Sequence, residues 1–100
     1  MSTSFQELIN GDKPVLVDFY ADWCGPCRYQ SPIIAQVAEQ VGEMARVIKV
    51  DVDRNPSAAQ QFGIRGIPAL LIFRHGKVVW RASGVRQANE LIQQLRTAAA

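Results

Sequence analysis

Apolar and polar positions change rhythm several times along the chain, and each change marks an element. Pro14 to Tyr20 (Pro-Val-Leu-Val-Asp-Phe-Tyr) is an apolar run interrupted by one acid, the pattern of a strand buried on both faces of a parallel sheet. Ahead of it, Ser4 with Glu7 fits a capping box opening a short helix that turns Phe5, Leu8 and Ile9 inward and stops at Gly11. From Cys24 the apolar residues Ile33, Ile34, Val37, Ala38 and Val41 recur at helical spacing, with Gly42 as the stop. Pro32 falls inside that helix, where a missing N–H and a crowded ring predict a kink.

Arg46 to Val52 alternates as a second strand. Asn55-Pro56 reads as an N-cap followed by proline at the first helical position, opening a short helix that ends near Phe62-Gly63. Ala69 to Phe73 and Val78 to Ala82 flank His75-Gly76, a hairpin signal. Ala88, Leu91, Ile92 and Leu95 form the stripe of a last amphipathic helix, with Thr97 to Ala100 expected to fray. The order helix–strand–helix–strand–helix–hairpin–helix predicts an α/β fold. Its crossover helix implies a parallel strand pair and its hairpin adds antiparallel strands, giving a mixed sheet covered by helices on both faces.

Composition narrows the function. One hundred residues, 48% hydrophobic and 20% charged, are expected to make one soluble domain spanning 1–100. No apolar stretch nears the roughly 18 residues that span a bilayer. Met1-Ser2-Thr3-Ser4-Phe5 has neither a basic start nor an apolar core, so a cytoplasmic setting is the default expectation. A net charge of +2, with acids and bases interleaved, argues against a nucleic-acid surface.

The chemistry concentrates in Trp23-Cys24-Gly25-Pro26-Cys27, which holds the only two cysteines. Two thiols so close gain little as a structural staple. At the start of a helix, the Cys24 sulfur would lie beside unsatisfied N–H groups and the positive end of the helix dipole, which favours thiolate over thiol. Cys27, one turn on, is expected to lie deeper and less exposed, and Pro26 to stiffen the turn. Cys24 would attack a substrate disulfide and Cys27 would then displace the mixed disulfide. The other reading is half of a zinc site, for which the chain offers only His75 as a further soft ligand, in a distant turn. A metal shared between chains stays open on that reading.

Trp-Cys-Gly-Pro-Cys after Val-Asp-Phe-Tyr-Ala-Asp, with Gly-Ile-Arg-Gly-Ile-Pro downstream, resembles thioredoxin from about Lys13 to the last helix. The resemblance implies a thioredoxin-like fold and a thiol–disulfide oxidoreductase, a general protein-disulfide reductase without a bound cofactor. No glycine-rich phosphate loop is present, so electrons would come from thioredoxin reductase or a similar partner. Residue by residue, it implies that Asp18 is a buried proton acceptor for Cys27 and that Lys49 is its partner on the adjacent strand. Pro68 matches the family's cis proline facing the dithiol, which lets the Ile67 backbone bond an extended substrate segment. Gly84 matches a glycine that leaves room for that segment. Trp23, Gly25, Pro26, Val52, Ile67, Pro68, Gly84 and Val85 would then form one exposed apolar patch around Cys24.

The implied partners are disulfide-containing proteins, with no nucleic acid and no membrane, for a monomer. Two alternatives remain: a disulfide oxidase or isomerase, and a structural binding module using the same patch. His75 and Trp80 read as a turn residue and a hairpin packing residue.

Three departures stand out. The chain starts about one strand too late, which predicts a four-stranded sheet lacking the first family strand and leaving Arg46 to Val52 as an edge. Arg46, Lys49, Asp51 and the first four residues are expected to screen that edge. Tyr20 stands where tryptophan is usual, and its hydroxyl needs a partner if buried. Ala69 replaces the usual threonine after Pro68.

Overall fold

In a computed structural model that describes residues 4–100, the elements are α1 (Phe5–Ile9), β1 (Val15–Tyr20), α2 (Gly25–Val41), β2 (Arg46–Asp51), α3 (Pro56–Gln61), β3 (Ala69–Arg74), β4 (Lys77–Ser83) and α4 (Ala88–Ala99). A single 3-10 turn, Gly42–Met44, links α2 to β2. The described strands form a four-stranded sheet in the order β2-β1-β3-β4. β1 pairs parallel with β2 and antiparallel with β3, and β3 with β4 antiparallel. The four strands and helix-covered sheet agree with the expectation.

The two faces of β1 account for its continuous apolar run. Leu16, with Leu70 and Ile72 of β3, packs under Ile34 and Val37 of α2 and Leu91 and Leu95 of α4. Val15, Val17 and Phe19, with Leu71 and Phe73, form the opposite face with Ile9, Phe5 and Phe62. A strand covered on both sides has no position left for polar residues. Asp18 is the exception: fully buried, it points to the α2 side of the sheet, in phase with Leu16.

Several local expectations need correction. Ser4 Oγ does accept from the Glu7 N–H at 3.2 Å, the first half of the capping box. Asn55 makes no side-chain cap on α3; its amide donates instead to the Asp51 carbonyl at 3.0 Å. β2 ends at Asp51 rather than Val52, because the Asp51 carboxylate accepts from the N–H groups of Asp53 (2.9 Å) and Arg54 (3.4 Å) and turns the chain. That fold-back also removes Asp51 from the screening of the β2 edge. Arg46 and Lys49 are exposed along it, with Arg46 reaching the Leu8 carbonyl at 3.2 Å. Of the first four residues, 1–3 lie outside the described part of the chain. α2 is one helix, Gly25–Val41, that contains Pro32, in keeping with the expected placement of that proline inside it. The last residues do not fray: α4 reaches Ala99, and Arg74 Nη1 holds the carbonyls of Ala98 (2.7 Å) and Ala100 (3.1 Å), a cation at a helix C-terminus. Among the described residues no helix is long and apolar enough to cross a membrane.

Candidate active site

The loop after β1 delivers Cys24 to the N-cap of α2. Its backbone is extended (φ −89°, ψ 111°), and its Sγ accepts a hydrogen bond from the Cys27 N–H at 3.2 Å. A sulfur takes the place that a serine or aspartate oxygen fills at other helix starts. Pro26, in the first turn, has no N–H to leave unsatisfied there. Cys24 and Cys27 are joined in a disulfide, with Cα atoms 5.3 Å apart. The expected difference in their exposure is absent: each is 4% exposed. Both cysteines share one buried cluster with Ala21, against which Tyr20, Val52 and Ile67 pack.

Opposite the disulfide lies the loop before β3. The Ile67–Pro68 peptide is cis, and the Ile67 carbonyl oxygen is 3.7 Å from Cys24 Sγ. The Pro68 carbonyl accepts from the Gly84 N–H at 2.9 Å, which draws the end of β4 beside the same loop. Around Cys24, Trp23 (69%) and Val85 (37%) are prominently exposed. Gly25, Pro26 and Gly84 are exposed as well, and Val52 and Ile67 half-buried. Pro68 is buried, so it supports the patch from beneath instead of adding to its surface. Trp23 is fixed by its ring N–H, which donates to Asp53 Oδ2 at 2.8 Å. The turn built by Asp51 sets Asp53 in that place.

Asp18 and Lys49 occupy opposed positions of the parallel β1–β2 register. Neither carboxylate oxygen of Asp18 has a hydrogen-bond partner among the described residues. Burial lifts its carboxyl from 3.8 to about 6, against the opposing pull of the Lys49 charge. The Lys49 ammonium makes no ion pair with Asp18. It donates to Ser31 Oγ at 2.7 Å and sits 4.4 Å above the Tyr20 ring. Tyr20 is only half-buried, and it is the ring face rather than the hydroxyl that meets a partner.

Beside these residues a cavity of about 370 Å³ opens between Cys27, Tyr20, Arg28, Ser31 and Lys49. Among the described residues no group of three or more potential metal ligands gathers, and His75 sits in the β3–β4 turn with a φ of 54°. Trp80 packs against the α2–α4 side of the core.

Sequence reasoning missed Ser31, Asp53 and Gln30, and gave Asp51 an edge-screening role in place of the turn it builds. Gln30 is wholly buried on α2 and bonded to the backbone of Arg86. Its signal was there: position 30 falls in phase with Cys27, Ile34 and Val37, on the inward stripe of the helix.

A family model described as Thioredoxin matches residues 1–97. A thioredoxin-like protein of Synechocystis is 47% identical over 94 residues, covering 93% of this chain and 90% of its own. The chloroplastic thioredoxin Y of rice (Oryza sativa subsp. japonica) is 45% identical over 97 residues, 96% of this chain; the chain spans only 58% of that longer protein. The crystal structure of Malassezia sympodialis thioredoxin superposes with a TM-score of 0.87 at 32% identity, over 96% of this chain and 84% of that one. Together with the Cys24–Cys27 pair at a helix start, these matches establish that the chain belongs to the thioredoxin family and is a thiol–disulfide oxidoreductase.

Proposed function

We propose that this chain is a general protein-disulfide reductase, one domain over 1–100 acting as a monomer in the cytoplasm and re-reduced by a thioredoxin reductase. The observation that carries this reading is the Cys24 sulfur at the N-cap of α2, bonded to the Cys27 N–H at 3.2 Å and faced by the Ile67 carbonyl at 3.7 Å. Reduced, the same sulfur sits where a helix terminus stabilises negative charge.

The Cys24 thiolate attacks one sulfur of a substrate disulfide; the other leaves as a thiolate and takes up a proton. Cys27 then gives its proton to ionised Asp18 and attacks Cys24 in the mixed disulfide, expelling the second substrate sulfur as a thiolate that takes up a proton from solvent, while Asp18 later releases its own. Substrate gains two electrons and two protons, and the Cys24–Cys27 disulfide forms. A carboxyl near 6 is mostly ionised at neutral pH yet a far better proton acceptor than an exposed aspartate, which suits it to accept and return that proton. Lys49 acts on Asp18 through its charge and not as a hydrogen-bond partner. Trp23, Gly25, Pro26, Val52, Ile67, Gly84 and Val85, with Pro68 beneath, receive the extended segment that carries the substrate disulfide.

Gly25 and Pro26 between the cysteines favour the reducing direction, since no histidine is placed there to stabilise the thiolate further. Insulin reduction by dithiothreitol tests the reading: the wild type should accelerate it and Cys24→Ser should not. Equal rates for the two would sink the mechanism, and docking that survives loss of both thiols without turnover would favour a structural binding module. An equilibrium with glutathione placing the potential above about −200 mV would make the chain an oxidase or isomerase instead.

A further inference from the structure

Gln30 is the one fully buried amide side chain in the core of the described residues, and both of its polar atoms are committed to a single residue of another element. Its Oε1 accepts from the Arg86 N–H at 2.7 Å and its Nε2 donates to the Arg86 carbonyl at 2.9 Å. The side-chain amide thus pairs with the backbone as a neighbouring strand would. The stripe it belongs to is otherwise apolar, with Ile34 and Val37 on following turns. An apolar residue would fill that position without the cost of burying an amide, so packing alone gives no reason for glutamine. Asparagine is one methylene too short, and an ionised glutamate has no donor for the carbonyl.

The segment it grips joins β4 to α4 and carries exposed Gly84 and Val85. Its other ties lead to the same region: the Gly84 N–H to the Pro68 carbonyl at 2.9 Å, and the Arg86 guanidinium to the Ser83 carbonyl (3.3 Å) and Glu90 (3.2 Å). Gln30 is the tie between this segment and the helix that begins at the dithiol, three residues beyond Cys27.

We propose that Gln30 is a positioning residue for protein substrates: it latches the Gly84–Val85 wall of the groove to the dithiol helix and so governs capture of an extended polypeptide, leaving the sulfur chemistry untouched. The inference rests on the protein-disulfide reductase reading above. It predicts a division by substrate size, because a small disulfide needs no groove wall.

The experiment compares wild type, Gln30→Leu and Gln30→Glu on insulin and on 2-hydroxyethyl disulfide, with circular dichroism confirming that each is folded at the assay temperature. For Gln30→Leu, KM for insulin should rise about tenfold, the scale of one lost hydrogen-bonded pair, with kcat and the small-disulfide rate within about twofold. Gln30→Glu supplies a readout that packing does not move. Buried, its carboxyl favours the protonated form, which accepts from the Arg86 N–H and donates to its carbonyl as the amide does. Its KM relative to wild type should therefore be near one at pH 5.5 and rise towards the leucine value at pH 8. Taking the ratio at each pH cancels the titration of every group common to the two proteins, Asp18 on β1 among them, and the charged Arg86 and Glu90 beside the latch are the same in both. An unchanged insulin KM in Gln30→Leu, equal losses on both substrates, or a flat Gln30→Glu ratio would overturn the latch. A wild type that reduces the small disulfide but not insulin would overturn the reductase reading and the latch together.

Discussion

Lys49 stands directly across from Asp18 in the β1–β2 register, yet its ammonium is bound to Ser31 Oγ at 2.7 Å and stacked 4.4 Å over Tyr20. A buried acid therefore has a cation close by without having it as a partner. The consequence is a carboxyl whose burial outweighs the neighbouring positive charge. Tyr20 and Ser31 hold that charge at the surface, where solvent weakens its pull on Asp18.

The first expected outcome follows from this imbalance. Asp18 titrates near 6 in the fold against 3.8 when exposed, so the folded state favours the protonated form. Its contribution to stability is then complete below about pH 4 and is lost as pH rises through about 6. A rise of this size is worth at most about 3 kcal/mol. Asp18→Asn should unfold in denaturant with up to that much more stability than wild type at pH 7.5, the two curves converging towards pH 4. Parallel stability–pH curves would show that Asp18 titrates normally.

Lys49 exerts the single influence that holds the Asp18 carboxyl down. With Lys49→Met, the pH at which stability falls away should move upward, and the variant should be weaker than wild type at pH 8. At pH 4 what remains is the loss of the ammonium's contact with Tyr20, about 0.5–1 kcal/mol for an exposed pair, and of its hydrogen bond to Ser31 Oγ, about 0.5–1.5 kcal/mol. Added salt should narrow the pH 8 difference, since Lys49 is exposed. A pH midpoint identical to wild type, measured by urea unfolding across the range, would contradict the coupling.

What the chain discloses by itself differs from one residue to the next. Val15 to Phe19 is legible because a strand covered on both faces leaves a run of apolar letters. Cys24 and Cys27 are legible because their spacing has few chemical meanings, and Pro68 and Gly84 through the motif around them. The commitments of long side chains are not legible. Lys49 chooses Ser31 on α2 over Asp18 beside it, and Asn55 turns from its own helix to the Asp51 carbonyl. Both choices depend on how far a flexible side chain reaches between elements that the sequence does not place relative to each other. Gln30 lies between these cases: its inward phase can be read, its partner cannot.

A cluster of rings fixes α1, which at five residues is too short to persist as an isolated helix. The Phe5 ring lies 5.6 Å from Phe62 and 5.8 Å from Phe73, the latter edge-on, and Phe62 meets Phe73 at 4.9 Å. Phe5→Ala and Phe62→Ala should each lower stability by about 1–3 kcal/mol, less than a fully buried ring would because both are half-buried. The double variant should lose less than the two losses together, with a coupling of about 0.5–1.5 kcal/mol for the aromatic pair. Urea unfolding of all four proteins measures it, and strict additivity would mean that the Phe5–Phe62 contact carries no energy.

Gly84 and Gly25 separate backbone conformation from crowding. A methyl added at either would meet no heavy atom within 4 Å. Gly84 has a φ of 84°, outside the range that L side chains adopt readily, whereas Gly25 opens α2 with ordinary backbone. Gly84→Ala should therefore cost about 1 kcal/mol through its backbone alone. Gly25→Ala should leave stability unchanged or raise it by a few tenths of a kcal/mol, because alanine has less chain entropy to lose on folding. Thermal melts of the oxidised proteins, with the disulfide intact in both, give the comparison. Equal losses at the two positions would mean that something other than φ at the end of β4 sets the requirement for glycine.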